Sequence, residues 1–224
     1  MVWLRHSVYV IKITTFYTIV HMSILDFIDK VVYINLPHRQ DRKQHMEQTW
    51  RSVFPSMTVY SATPYTKEDL PRGYSWARRG YYGAWMSHVA VATAHFNSGA
   101  DNVLILEDDS VPRHDFANMA RLVWESTPRN FSVINYGVSE AQNGRGAVPV
   151  NYHVVRVRRA RRTTACLLSR LGMLEYAKFV TPCIRGSAFD DWPTFEIQSK
   201  YGYYSPHAPI VYAGAWGTDA ELKG

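Results

Sequence analysis

Four apolar residues, Val103-Leu-Ile-Leu106, run straight into three acids, Glu107-Asp108-Asp109. This segment constrains the fold more than any other. A continuous apolar run of this length belongs in a core strand. Carboxylates crowded at its end repel one another, and burying them without a cation is costly. The acids must therefore stand where the strand leaves the core, at an edge that meets a ligand or solvent. In extended backbone, residues i and i+2 face the same way, so Glu107 and Asp109 are expected to project together, with Asp108 opposite. A hard divalent ion such as Mn2+ or Mg2+ takes oxygen ligands and keeps positions open for phosphate oxygens. Bridging a nucleotide diphosphate in this way neutralises charge on a leaving group. The plainer reading is a solvated turn in which Asp108 or Asp109 caps the next helix.

The rest of the chain alternates strand and helix signals. Lys30-Val-Val-Tyr-Ile-Asn-Leu36 is a β-branched run ended by Pro37 and reads as a buried strand. Met46, Trp50 and Val53 share one helix face, which predicts a helix from Arg39 to Val53, closed by Pro55. Val59–Ala62 reads as a short strand and residues 63–82 as a long loop. Gly83–Asn97 reads as a buried helix ended by Ser98-Gly99. Phe116, Ala120 and Val123 mark a further helix, Phe131–Tyr136 a strand, and residues 137–150 a surface loop. Tyr152–Val157 and Thr163–Leu168 are strand-like, and Ser169–Phe179 is helical. The alternation predicts an α/β chain with a mostly parallel central sheet flanked by helices, in one domain over residues 25–224. Ligands in such sheets bind at the carboxyl ends of the strands, which puts Asn35 and the 107–109 acids at one rim.

Residues 1–24 stand apart. Val8–Val20 is apolar but too short to span a membrane, is interrupted by Lys12, and lacks a small-residue cleavage site. It reads as an added strand, a membrane-surface segment, or upstream sequence with Met22 as the start. The third is favoured, because the organised pattern begins only after Met22. A net charge of +6 admits nucleic acid, an anionic membrane surface or a phosphate-bearing ligand. Arg156-Val-Arg-Arg-Ala-Arg-Arg162 holds five arginines in seven residues, and a half-exposed strand there would put several on one side. Such a face suits a polyanion, although a solvated face is the plainer reading. No helix-turn-helix, zinc-finger or RRM signature supports nucleic acid. Cys166 and Cys183 fit no metal-binding spacing or disulfide framework. They point to a reducing compartment, the cytoplasm or the cytoplasmic face of a membrane.

Five segments then carry a resemblance. They are Val31-Val-Tyr-Ile-Asn-Leu-Pro-His-Arg-Gln-Asp-Arg42, Gly80-Tyr-Tyr-Gly-Ala-Trp-Met-Ser-His88, Val103–Asp109, Thr164-Ala-Cys-Leu-Leu-Ser-Arg170 and Phe189-Asp-Asp-Trp192. In this order they resemble glycosyltransferase family 25, which includes bacterial lipopolysaccharide sugar transferases and collagen galactosyltransferases. Where that family has Glu and Cys in the second segment, this chain has Tyr81 and Ala84. The resemblance implies a GT-A-type fold, a nucleotide-sugar donor (a UDP-hexose is expected), a glycan or glycoprotein acceptor, and inversion.

It also implies roles. Asn35, Leu36 and Arg39 lie near the nucleotide, with Arg39 or Arg42 available to phosphate or base, and Asp41 capping or pairing locally. Ser87 and His88 bond the donor or acceptor, unless His88 is a satisfied core residue. Glu107 and Asp108 face the donor; Asp109 and Glu107 are candidate metal ligands, and His207, read from its own sequence context between Tyr203-Tyr204 and Pro209, is a candidate metal or phosphate ligand. Inversion needs a carboxylate to take the acceptor hydroxyl's proton, and Asp191 or Asp190 is expected to be that base. Pro193 after the pair equally fits helix capping. Trp192, Tyr203 and Tyr204 are candidates for sugar stacking or for core packing. The rival reading is a non-catalytic, basic polyanion-binding module that keeps the fold. A phosphohydrolase would need further metal ligands that the sequence does not supply.

Overall fold

The computed structural model describes residues 25–66, 68–70, 79–138, 147–158, 162–178, 197–198 and 200–214. In chain order these form β1 (Lys30–Asn35), α1 (Gln40–Trp50), β2 (Thr58–Ser61), α2 (Arg79–Asn97), β3 (Asn102–Glu107), β4 (Ser110–Pro112), α3 (Phe116–Ser126), β5 (Phe131–Asn135), β6 (Val148–Pro149), β7 (Val154–Arg156), β8 (Ala165–Ser169), α4 (Arg170–Lys178), β9 (Gly202–Pro206) and β10 (Val211–Ala213). Residues 1–24, expected to stand apart, lie outside the described residues.

Alternate residues of the central strands enter two different cores. Val32 and Ile34 of β1 and Val103 and Ile105 of β3 face one side of the sheet. Val31 and Tyr33 of β1 and Leu104 and Leu106 of β3 face the other. A strand covered on both faces has no use for polar alternation, which is why these segments are unbroken apolar runs. Helices α2 and α4 close the first core through Trp85, Val89, Ala92, Met173 and Tyr176. Helices α1 and α3 close the second through Met46, Trp50, Phe116, Ala120 and Val123, with the Trp50 and Phe116 rings edge-on at 5.1 Å. Burying each Val, Met or Phe among them is worth about 1.5–3 kcal/mol. Helix α4 lies close on β5 because residue 172 is glycine: a Cβ there would collide with the Ser132 carbonyl oxygen.

The eight-stranded sheet has the order β2-β1-β3-β8-β5-β9-β7-β6. Strands β1, β2, β3, β5, β6 and β9 run one way and β7 and β8 the other. The sheet is thus mostly parallel and flanked by helices, as the alternation predicts. Helix α2 begins at Arg79 rather than Gly83, because its buried stripe of Tyr82, Trp85, Val89 and Ala92 starts before the glycine. It ends at Gly99, whose φ of +82° is favourable only for a residue without Cβ. Strands β4, β9 and β10 carry no expectation from sequence, and β6 falls within residues 137–150, which were expected to be a loop. A separate antiparallel ribbon joins β4 to β10, pairing Ser110 with Ala213, and fixes the chain just beyond the three acids. No helix among the described residues is long and apolar enough to cross a membrane.

Candidate functional site

Strands β1 and β3 pair in parallel, with Ile34 opposite Glu107, so both end at the same rim. A cavity of about 540 Å3 opens there. Ile34 and Leu36 from the end of β1 line it, with Arg42 from α1, the first turns of α2, the three acids, and residues 162–164 ahead of β8. The acids therefore stand at the carboxyl end of a core strand, against a cavity, as expected. Beyond β3 the chain turns at Asp108 and Asp109 and enters β4 instead of a helix, so neither acid is a helix cap. The turn is pinned from both sides. The Ser110 carbonyl accepts hydrogen bonds from Trp50 Nε1 at 3.0 Å and lies 3.2 Å from His45 Nε2. The Gly214 N–H donates to the Asp109 carbonyl at 2.7 Å.

All three acids line the cavity, yet their surroundings differ. Asp108 accepts from Arg42 Nη1 at 2.6 Å, with both side chains buried. Burial pushes its carboxyl up while the guanidinium pulls it down. Glu107 Oε1 accepts from Thr163 Oγ1 at 2.6 Å and lies 3.6 Å from His88 Nε2. Burial opposes its charge, but these facing groups hold it below the usual carboxylate range. At Asp109 burial opposes the ionised form more than the Arg42 charge and the residue's own backbone N–H favour it. Its Oδ1 is buried with no hydrogen-bond partner, and burial, together with the Glu107 charge, pushes its carboxyl up to about 6.

The structure does not set Asp108 opposite the other two: all three acids line one cavity, and Asp108 differs by its bond to Arg42. After Glu107 the backbone is a turn, not a strand, and what selects Asp108 is the arginine of α1. Among the described residues, no three His, Cys, Asp or Glu side chains converge as a ready-made metal cage. Mg2+ and Mn2+ do not require one: they are commonly held by one or two carboxylates, with phosphate and water completing the shell. A carboxylate with an unpartnered oxygen, on a residue that lines a cavity of this size, fits such an ion.

The structure brings Leu36, Ser87, Glu107, Asp108 and Asp109 to the cavity wall, but not Asn35, Arg39, His88 or His207. Asn35 is buried at the end of β1 and its Nδ2 donates to the Leu36 carbonyl. Arg39 forks onto Asp41 at 3.0 and 2.8 Å, the local pairing expected for that acid. Ser87 donates to the Gly83 carbonyl at 2.8 Å. His88 is 1% exposed, its ring 6.5 Å from that of Tyr176, so it belongs to the core behind the cavity.

His207 needs correcting as a metal ligand. It follows β9, three strands from β3 in the sheet order, and its Nε2 sits 2.9 Å from the Asn151 carbonyl. Tyr203 and Tyr204 take the core-packing alternative: Tyr203 is fully buried and its hydroxyl accepts from Asn135 Nδ2 at 2.9 Å, while Tyr204 packs in the second core. Neither is a sugar platform. Asp190, Asp191 and Trp192 lie outside the described residues. In the arginine run, Arg156 is half-buried in β7, Arg158 is exposed and Arg162 reaches the cavity wall, so these three do not form one strand face.

Several cavity residues had no sequence signal. Thr163 bonds Glu107 across 56 positions and Arg42 bonds Asp108 across 66, and no periodicity reports pairs so distant. Tyr65, Tyr81 and Trp85 give the cavity an aromatic wall. Tyr81 and Ala84, where this chain departs from the family 25 pattern, both face it.

No family model matches the chain, and no curated protein matches it. Among solved structures it is similar to a glycosyltransferase involved in the glycosylation of the major capsid of PBCV-1 (TM-score 0.45, 9% identity, covering 85% of this chain and 94% of that one). It is also similar to A197 from STIV (TM-score 0.42, 10% identity, 81% and 83% covered). A third is the galactosyltransferase LgtC in complex with donor and acceptor sugar analogs (TM-score 0.40, 10% identity, 87% and 92% covered). Sharing a tenth or less of their residues with this chain, these proteins transfer no site to it.

Proposed function

We propose that this chain is a divalent-metal-dependent glycosyltransferase of the GT-A type. In this reading it moves a hexose from a nucleotide-sugar donor, UDP-linked, to a hydroxyl of a glycan or glycoprotein acceptor, with the inversion that the family 25 resemblance implies. The observation that carries the reading is Asp109: a residue on the wall of a cavity at the end of β3 whose buried Oδ1 has no hydrogen-bond partner.

Asp109, with Glu107 beside it, would hold Mn2+ or Mg2+. The ion, when bound, supplies positive charge that offsets charge on the departing diphosphate. The chain's own residues do the rest. Arg42 bonds Asp108 and keeps the turn in place. Thr163 fixes the direction of Glu107. Leu36, Ser87 and the wall of Tyr65, Tyr81 and Trp85 shape the space for the nucleoside and sugar. Asp191 or Asp190 is proposed as the base that takes the acceptor's proton. The buried, unbridged Cys166 agrees with the cytoplasm or a cytoplasmic membrane face as the place of action.

The test is hydrolysis of a panel of nucleotide sugars with and without Mn2+. Metal-dependent turnover of at least one donor, absent in Asp109→Asn, is expected. Turnover indifferent to both metal and Asp109 overturns the proposal. Salt-sensitive binding to DNA or an acidic polysaccharide that survives loss of the 107–109 acids, with no donor turned over, would favour the non-catalytic module instead.

A further inference from the structure

We propose that Arg162 is a specificity-determining contact for the diphosphate of the donor, presented to the cavity by a strained backbone; the inference rests on the nucleotide-sugar reading of the same site. Among the described residues, Arg162 is the one non-glycine with positive φ, at 82°. Its Cβ crowds the backbone in that conformation, and glycine adopts it freely. Strained residues of this kind persist only where their surroundings over-determine them, and they gather at functional sites.

The surroundings do over-determine it. The Arg162 carbonyl accepts from Asn135 Nδ2 at 2.8 Å. Asn135 is itself fixed, donating to the Tyr203 hydroxyl and accepting from the Gly137 N–H at 3.0 Å. On the other flank, Thr163 Oγ1 donates to Glu107 at 2.6 Å and the Glu107 N–H donates to the Thr164 carbonyl at 2.9 Å. The loop is therefore stitched to the end of β5 and to the acidic strand, and every stitch uses backbone atoms or a neighbour's side chain. None uses the Arg162 side chain, which is exposed on the cavity wall.

The backbone alone would be better served by glycine, so what an arginine adds is its guanidinium. Arg42, also on the cavity wall, is committed to Asp108. Arg162 makes no ion pair among the described residues and stands one position from Thr163, the residue that grips Glu107. A guanidinium there matches the forked, charge-assisted geometry of phosphate oxygens, on a ligand that a metal held by the acids would also bind.

The experiment is calorimetry with Mn2+ and uridine, uridine monophosphate, uridine diphosphate or inorganic pyrophosphate. The proteins compared are wild type, Arg162→Gly and Arg162→Lys, each with an unfolding temperature. Arg162→Gly is expected to lose about tenfold or more in affinity for the diphosphates. It should keep uridine affinity within about twofold and unfold no lower than wild type, since glycine relieves the strain. Arg162→Lys should regain part of the lost affinity. Diphosphate binding unchanged in Arg162→Gly overturns the inference while leaving the donor reading intact. So does a parallel loss of uridine affinity and stability, which would mark a merely structural loop. A wild type that binds neither diphosphate overturns both.

Discussion

Asp108 and Asp109 are chemically identical neighbours in one turn, yet the region toward α1 and the region toward the cavity treat them differently. Toward α1, the chain places a buried guanidinium 2.6 Å from the carboxylate. Toward the cavity, it leaves Asp109 Oδ1 buried with no partner and raises that carboxyl to about 6. The first arrangement serves the fold: removing either member of a buried pair strands the other charge. In the proposed function the second serves a ligand, because a buried carboxylate oxygen left unmet is destabilising until a ligand meets it. In that reading, one acidic turn both anchors a strand end and receives a cation.

The comparison can be broken from its functional side first. Asp109→Asn is expected to lower donor turnover by about a thousandfold or more, ~4 kcal/mol of barrier, with no loss of unfolding temperature. Steady-state rates and thermal melts of the two proteins check it. On the structural side, Arg42→Ala should cost about 3–5 kcal/mol of stability in denaturant unfolding, because it leaves Asp108 charged and buried beside two other acids. A loss below about 1 kcal/mol would mean that the pair does not hold the turn.

The pH dependence sharpens the contrast further. Asp109 rises from 3.8 to about 6 in the fold, so its contribution is fully present below the lower value and is lost as pH rises through the upper. The difference, 6 − 3.8, is 2.2, which at about 1.36 kcal/mol each gives at most roughly 3 kcal/mol. Metal-free protein should lose that stability between about pH 4 and pH 6. Asp109→Asn should remove that component, and Mn2+ should restore what wild type loses. Melts across this range, with and without chelator, read it directly. The smallest effect is expected from Arg39→Ala. That side chain is bonded to an exposed acid and does not line the cavity, so donor affinity should stay within about twofold.

Much of this was legible in the sequence, and the reasons are physical. The strands buried on both faces were unbroken apolar runs, and Met46 and Trp50, or Phe116, Ala120 and Val123, repeated at the helical period, so the sheet and its helices showed through. The acids were legible as a site because an apolar strand delivering carboxylates has few alternatives. The two- and three-residue strands β4, β6 and β10 were not, since so short a piece has no alternation to detect. Nor could local pattern assign Asp108 to Arg42 or Glu107 to Thr163, which meet only through the sheet. His207 misled because its ligand chemistry was visible and its distance in the fold was not. Arg162 was counted as one more charge in a basic run, when its conformation and its place on the cavity wall set it apart.

The central claim is that the unmet oxygen of Asp109 receives a divalent ion beside a nucleoside diphosphate. Titrating uridine diphosphate at pH 7.5 into wild type and Asp109→Asn, each with and without Mn2+, tests it most directly. The account predicts that Mn2+ tightens nucleotide binding to wild type at least tenfold and leaves Asp109→Asn unchanged. Equal metal dependence in both proteins, or nucleotide binding to wild type that ignores the metal, would contradict it.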